Sequence, residues 1–96
     1  MDKLLSSIAT RIKYIRSNSD NAFINSALDI VEIKIEELKE RKYSSVAVVE
    51  DICNHIISYD IRRMKGVPGE TNMVYKKMDE LAGFVEELKV AYFEAN

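Results

Sequence analysis

Glu50-Asp51-Ile52-Cys53-Asn54-His55 is the only stretch of this chain in which cysteine, histidine and carboxylates gather. On a helix Asp51 and His55 are four residues apart and share a face, the minimum for an acid–base pair or two metal ligands. Cys53 points about 160° away from His55 at 3.6 residues per turn, into the apolar side. The chain has no second histidine to activate that thiol. Catalytic and metal sites need convergent groups, and two residues on one helix face do not supply them. The expectation is a solvated Asp–His face, Cys53 as a small core hydrophobe, and no catalytic residue, metal ligand or cofactor. The acidic pairs Glu36-Glu37, Asp79-Glu80 and Glu86-Glu87 resemble the carboxylates of di-metal bundles only superficially. Those sites take inward-facing Glu together with Glu-x-x-His motifs, and this chain has no such motif.

Two further groups of polar residues carry more information. Asp60 projects into the middle of an apolar helical face shared with Val49, Cys53, Ile56 and Met64. A charge there is costly unless paired. Arg63, three residues on, could pair with it, or the helix end could emerge from the protein and leave both hydrated. Second, Arg16, Arg62, Arg63 and Lys65 fall at the ends of two helices that an up-down topology brings to one pole. Helix N-termini with exposed N–H groups arrive at the same pole. These four residues form a candidate anion-binding site for a phosphate or nucleotide, although Asp20 and Glu70 dilute its field and cations at helix C-termini also complement the dipole.

The elements that would hold these residues are four amphipathic helices. Met1, Leu5, Ile8, Ile12 and Ile15 recur at four-three-four-three spacing, which predicts a helix over roughly 3–17. Ile24, Leu28, Val31, Ile35 and Leu38 do the same in a second helix over roughly 21–42, with Ser19 or Asp20 as its N-cap and a Glu37–Arg41 pair near its end. Val46 to Val49 would suit a strand by composition. A lone strand would have no partner, however, and Val49, Ile52, Ile56 and Tyr59 resume helical spacing, so a third helix is expected over 45–65. Gly66 is expected in the left-handed cap position at its end, followed by Pro68. Thr71 or Asn72 starts a fourth helix over 71–94, whose stripe is Val74, Met78, Leu81, Val85, Leu88 and Tyr92. Gly83 lies opposite that stripe. Short connections between four such stripes predict an all-α, antiparallel up-down four-helix bundle forming one domain over residues 1–96.

The second helix is apolar beyond the arc one core needs. Phe23 and Ile30 widen the stripe, and Ile33 falls roughly opposite it, where water would be expected. Tyr14 is off-stripe on the first helix, as is Val90 on the fourth. Phe23, Ile30, Ile33 and Tyr14 are therefore the candidate interface residues, unless neighbouring helices cross at an angle that covers Phe23 and Ile30.

Bulk properties narrow the function class without naming it. With 47% apolar and 31% charged residues, the 96-residue chain has a globular composition. No apolar run is long enough to span a bilayer, so no membrane partner is expected. A formal charge of −2 gives no reason for non-specific nucleic-acid binding. A single cysteine excludes an intrachain disulfide and makes a reducing, cytoplasmic setting the default. The first helix carries Lys3, Arg11, Lys13 and Arg16 against Asp2, whereas the fourth is acidic, which suits an antiparallel contact between the two. The expected protein is a small non-enzymatic regulator, adaptor or inhibitor that binds another macromolecule, as a homo-oligomer. The alternative is a binder of an anionic small molecule, such as a nucleotide, at the basic pole or between subunits.

Overall fold

The computed structural model describes residues 2–40 and 45–95, with side chains as far as Tyr92. Its elements are α1 (Asp2–Asn18), α2 (Ala22–Glu40), α3 (Val46–His55), a π-helical turn (Ile56–Ile61), α4 (Arg62–Lys65) and α5 (Asn72–Ala95). Backbone angles stay helical through the junctions at His55, Ile61 and Arg62. α3, the π turn and α4 are therefore one rod, and the molecule is an antiparallel bundle of four rods. The expected end of the second helix at Arg41-Lys42, with its Glu37–Arg41 pair, lies outside the described residues.

Antiparallel order follows from the cross-helix contacts. Arg11 on α1 bonds Glu80 on α5 at 3.2 Å, while Tyr14, further along α1, lies beneath Lys77, earlier in α5. Phe23 meets Arg63, and Lys34 meets His55, so α2 and the third rod also run in opposite directions. The expected stripes of α1, α2 and α5 are buried from Ile8 to Tyr92 and form one core with Val49, Cys53, Ile56, Ile61 and Met64. Each rod thus contributes a face that is costly to leave in water, at about 25 cal/mol per Å² of apolar surface. α1 packs chiefly along α5. Between α1 and α2 a groove of about 340 Å³ remains, lined by Leu5, Ile12, Ile35, Arg16 and Lys39 among others.

The charge asymmetry of the sequence appears in this packing. Lys77 and Arg11 both bond Glu80, and these two contacts, Lys77 first, hold its carboxyl below the usual carboxylate range. Their stabilisation is present above that range and lost as the pH falls through the lowered value.

Three local expectations are corrected. The N-cap of α2 is Asn21, whose Oδ1 accepts from Ile24 N–H at 3.0 Å, and not Ser19 or Asp20. Ser19 is instead buried, donating to Glu70 Oε1 at 2.7 Å and so tying the first connection to the last. Gly66 closes α4 with ordinary right-handed angles; the positive φ, 91°, belongs to Gly69, where the chain reverses. On the third rod Tyr59 does not turn inward. It is half exposed, and Asp60 and Ile61 take the buried positions. Thr71 does cap α5, accepting from Val74 N–H, and Ser45 caps α3, accepting from Val48 N–H.

Gly83 stands exposed in the middle of α5, and a Cβ placed there would meet nothing within 4 Å. Gly83→Ala removes backbone freedom from the unfolded chain without a steric cost. It should raise the unfolding free energy by about 1 kcal/mol in urea titration, with an unchanged denaturant slope.

Candidate interaction surface

The apolar residues that no rod covers lie mainly on one side, along α2 and the neighbouring third rod. Phe23 is 42% exposed, Ile30 42% and Ile33 61%, and Tyr59 and Val48 on the facing rod are also exposed. The helix crossing therefore does not shelter Phe23 and Ile30. On α2 these positions follow from sequence spacing, since Phe23, Ile30 and Glu37 repeat every seven residues and share one side of the helix. Between the rods, Ile30, Ile33 and Ile52 join Lys34, Glu37, Asp51 and His55 around an open cleft of about 510 Å³. Tyr14, the fourth candidate interface residue, is elsewhere, packed against the core on the α1–α5 side beneath Lys77.

A chain of polar contacts runs from this surface into the core. Arg63 lies over the rings of Phe23 and Tyr59, 4.7 and 4.8 Å from their centroids, and donates to Tyr59 Oη at 3.1 Å. The Tyr59 ring stacks on His55 at 4.8 Å. Lys34 Nζ donates both to His55 Nδ1, at 2.6 Å, and to Asp60 Oδ2, at 2.5 Å. Asp60 is only 2% exposed, whereas His55 is open to solvent. Burying the carboxylate is tolerable because an ammonium meets it directly. A lysine ammonium has no lone pair to offer, so Nδ1 of His55 is the acceptor and its ring hydrogen sits on Nε2.

The π turn makes this cluster possible. Residues five apart on an α-helix point about 140° from one another. The i→i+5 bonding of Ile56–Ile61 adds a residue to the turn and swings Asp60 towards His55, whose Nδ1 comes within 4.0 Å of Asp60 Oδ2. Sequence spacing pairs His55 with Asp51 and Asp60 with Arg63, and the structure makes neither pair. Arg63 is committed to two aromatic rings, and Asp60 is neither hydrated nor bound to its own helix. Lys34 was not singled out by sequence reasoning. The signal that could have found it is its place beside Ile30 and Ile33 on α2, facing an unexplained carboxylate.

Three of the four basic residues of the candidate anion site end on different neighbours. Arg16 reaches across to α2, where it bonds Asp29 at 2.6 Å and Glu32. Those bonds, Glu32 first, push its pKa further up. Lys65 pairs with Asp79 on α5. Arg63 stacks as described, and Arg62 is exposed on α4. At the same pole, Asn21 and Thr71 already use helix N–H groups of α2 and α5. Among the described residues no group of three or more His, Cys, Asp or Glu side chains could hold a metal ion. No helix among them is long and apolar enough to cross a membrane.

Fold and surface together define an all-α bundle with an apolar row and a cleft on the face shared by two adjacent rods. Comparison with known proteins finds no family model, no curated protein and no solved structure that matches the chain.

Proposed function

We propose that this protein is a non-enzymatic helical module, a small regulator, adaptor or inhibitor, that acts by associating with another protein chain through the α2–third-rod face. The observation that carries this reading is the exposed row of Phe23, Ile30, Ile33 and Tyr59. Scattered apolar residues are normal on any surface, but an aligned row of large ones beside a cleft is the composition of a contact surface. Aromatic residues and arginine, the types that anchor interfaces, occur together where Arg63 joins Phe23 and Tyr59.

The polar groups support binding over catalysis. The acceptor nitrogen of His55 is occupied by Lys34, and Cys53 is fully buried. Neither of these two residues therefore forms a base-activated nucleophile. The Lys34–Asp60–His55 cluster instead holds the two rods in register beneath the row.

Site-specific photo-crosslinking in the native cell tests this proposal. A crosslinking residue at position 33 should give discrete protein adducts, which Phe23→Glu in the same chain abolishes. The same residue at Met73, exposed on α5, serves as the control. Adducts no more abundant at position 33 than at position 73 would refute the reading.

A further inference from the structure

We propose that the occupant of this face is a second copy of the chain, docked about a two-fold axis that passes near Ile30 and runs the two α2 helices antiparallel. The proposal rests on the reading of the row as a protein-binding surface and adds to it the partner and the register. Its basis is the way charge is distributed along the row. At one end Arg63 lies over Phe23, and it makes no ion pair among the described residues. At the other end Glu37 and Asp51 line the cleft and likewise make none. Lys34, which lies between them, is neutralised by Asp60. Among the described residues the row is therefore apolar along its middle, basic at one end and acidic at the other.

Such a surface is complementary to itself in one orientation only. A two-fold interface sets the same patch against itself, so residue i meets residue j and j meets i. Ile30 stands seven residues after Phe23 and seven before Glu37, which is about 10 Å along the helix in each direction. An axis at Ile30 sets Ile30 against Ile30 of the second copy. It also brings Arg63 of each chain to Glu37 and Asp51 of the other. A parallel arrangement would instead set Arg63 against Arg63 and the carboxylates against carboxylates, which costs rather than gains free energy. Two α2 helices crossing at Ile30 can seat Ile33 of each copy towards the opposite cleft. The groove between α1 and α2 lies on the other side of α2, and this contact leaves it open.

Light scattering after size exclusion, over a series of concentrations at low and physiological salt, reads the outcome directly. The purified chain should run as a two-chain species, and Ile30→Glu should make it monomeric with unchanged helical circular dichroism. Arg63→Glu alone, and Glu37→Arg with Asp51→Arg, should each raise the dissociation constant by roughly tenfold or more, because each leaves like charges facing across both ends. All three substitutions in one chain restore opposite charges at both ends and should return the constant to near that of the parent. A parent that stays monomeric at high micromolar concentration overturns the second-copy proposal. Crosslinks from position 33 to a different protein would then still uphold the broader reading. A dimer that the triple substitution weakens further overturns the antiparallel register. Loss of helicity in Arg63→Glu would be separated from loss of contact by Arg63→Gln, which removes the charge and keeps a long side chain over the rings.

Discussion

Replacing Lys34 by methionine should lower the unfolding free energy by about 3 kcal/mol, while replacing Asp60 by leucine in the same chain should return most of that loss. The asymmetry comes from where the two charges sit. Asp60 is 2% exposed, and its carboxylate is met at 2.5 Å by the Lys34 ammonium, whose side chain keeps about a fifth of its surface in water. Removing the ammonium leaves a buried charge that must remain unpaired, take up a proton or pull water into the core, and each is unfavourable. Removing the carboxylate alone is cheaper, because Lys34 can extend its charged end into the cleft and leave its stem on the apolar wall. With both gone, an apolar pair of similar volume fills the place at little cost. Urea titrations of the two single variants and the double at neutral pH give the coupling directly. Additive losses would show that the two charges do not depend on one another. The same pair has a second consequence for the exposed face. Lys34→Met frees His55 Nδ1 and loosens the join beneath the row, so any association through that face should weaken in step.

Cys53 should be close to inert in the folded protein. Its side chain is fully covered, and burial is the largest cause pushing the thiol from 9.0 up to about 11, with Lys89 acting against the shift and Glu86 with it. The thiolate is the reactive form, so at pH 8 the shift alone cuts its population by roughly a hundredfold, before steric cover is counted. Alkylation by iodoacetamide at pH 8 should therefore run at least a hundredfold more slowly than in denaturing urea. What labelling remains should track transient opening of the bundle. Rapid modification of the native chain would mean that the third rod opens from the core more easily than its packing implies. The same shift sets a pH dependence. A thiol whose folded value lies above its unfolded one contributes fully below pH 9. That contribution is then lost between pH 9 and about 11, as the unfolded chain ionises first. Cys53→Ala should remove this alkaline loss while introducing a small cavity penalty of its own.

The helices themselves were decided by the sequence. The spacing of Ile24, Leu28, Val31, Ile35 and Leu38, and that of Val74 to Tyr92, states a period of 3.6 that no other regular structure can bury. Thr71 marks the start of the last helix, because its hydroxyl satisfies an N–H group that the helix leaves open. Opposite charge on the first and last helices suited a contact between them, and α1 does pack chiefly along α5. The surplus of Phe23, Ile30 and Ile33 was also visible, because it needs only the geometry of a single helix.

Tertiary structure decided everything that depends on one helix seeing another. The partner of Asp60 could not be read along the third helix, since it stands 26 residues away on α2. Nor could the π turn, because no proline or glycine marks it; it places Asp60 where Lys34 can reach it. Local spacing offered Asp60 an arginine three residues on, and gave His55 an aspartate four residues back. Both choices lost to contacts across the rods, where a buried carboxylate gains more from an ammonium held against it than from a guanidinium that can lie on exposed rings. Three of the four cations at one pole were similarly drawn apart, because Arg16 and Lys65 met carboxylates and Arg63 met aromatic rings that packing supplied, while Arg62 stays exposed. A one-dimensional pattern specifies which side of each helix is apolar. Which charges meet is settled only by the relative rotation and depth of the rods, and those are set by the whole core at once.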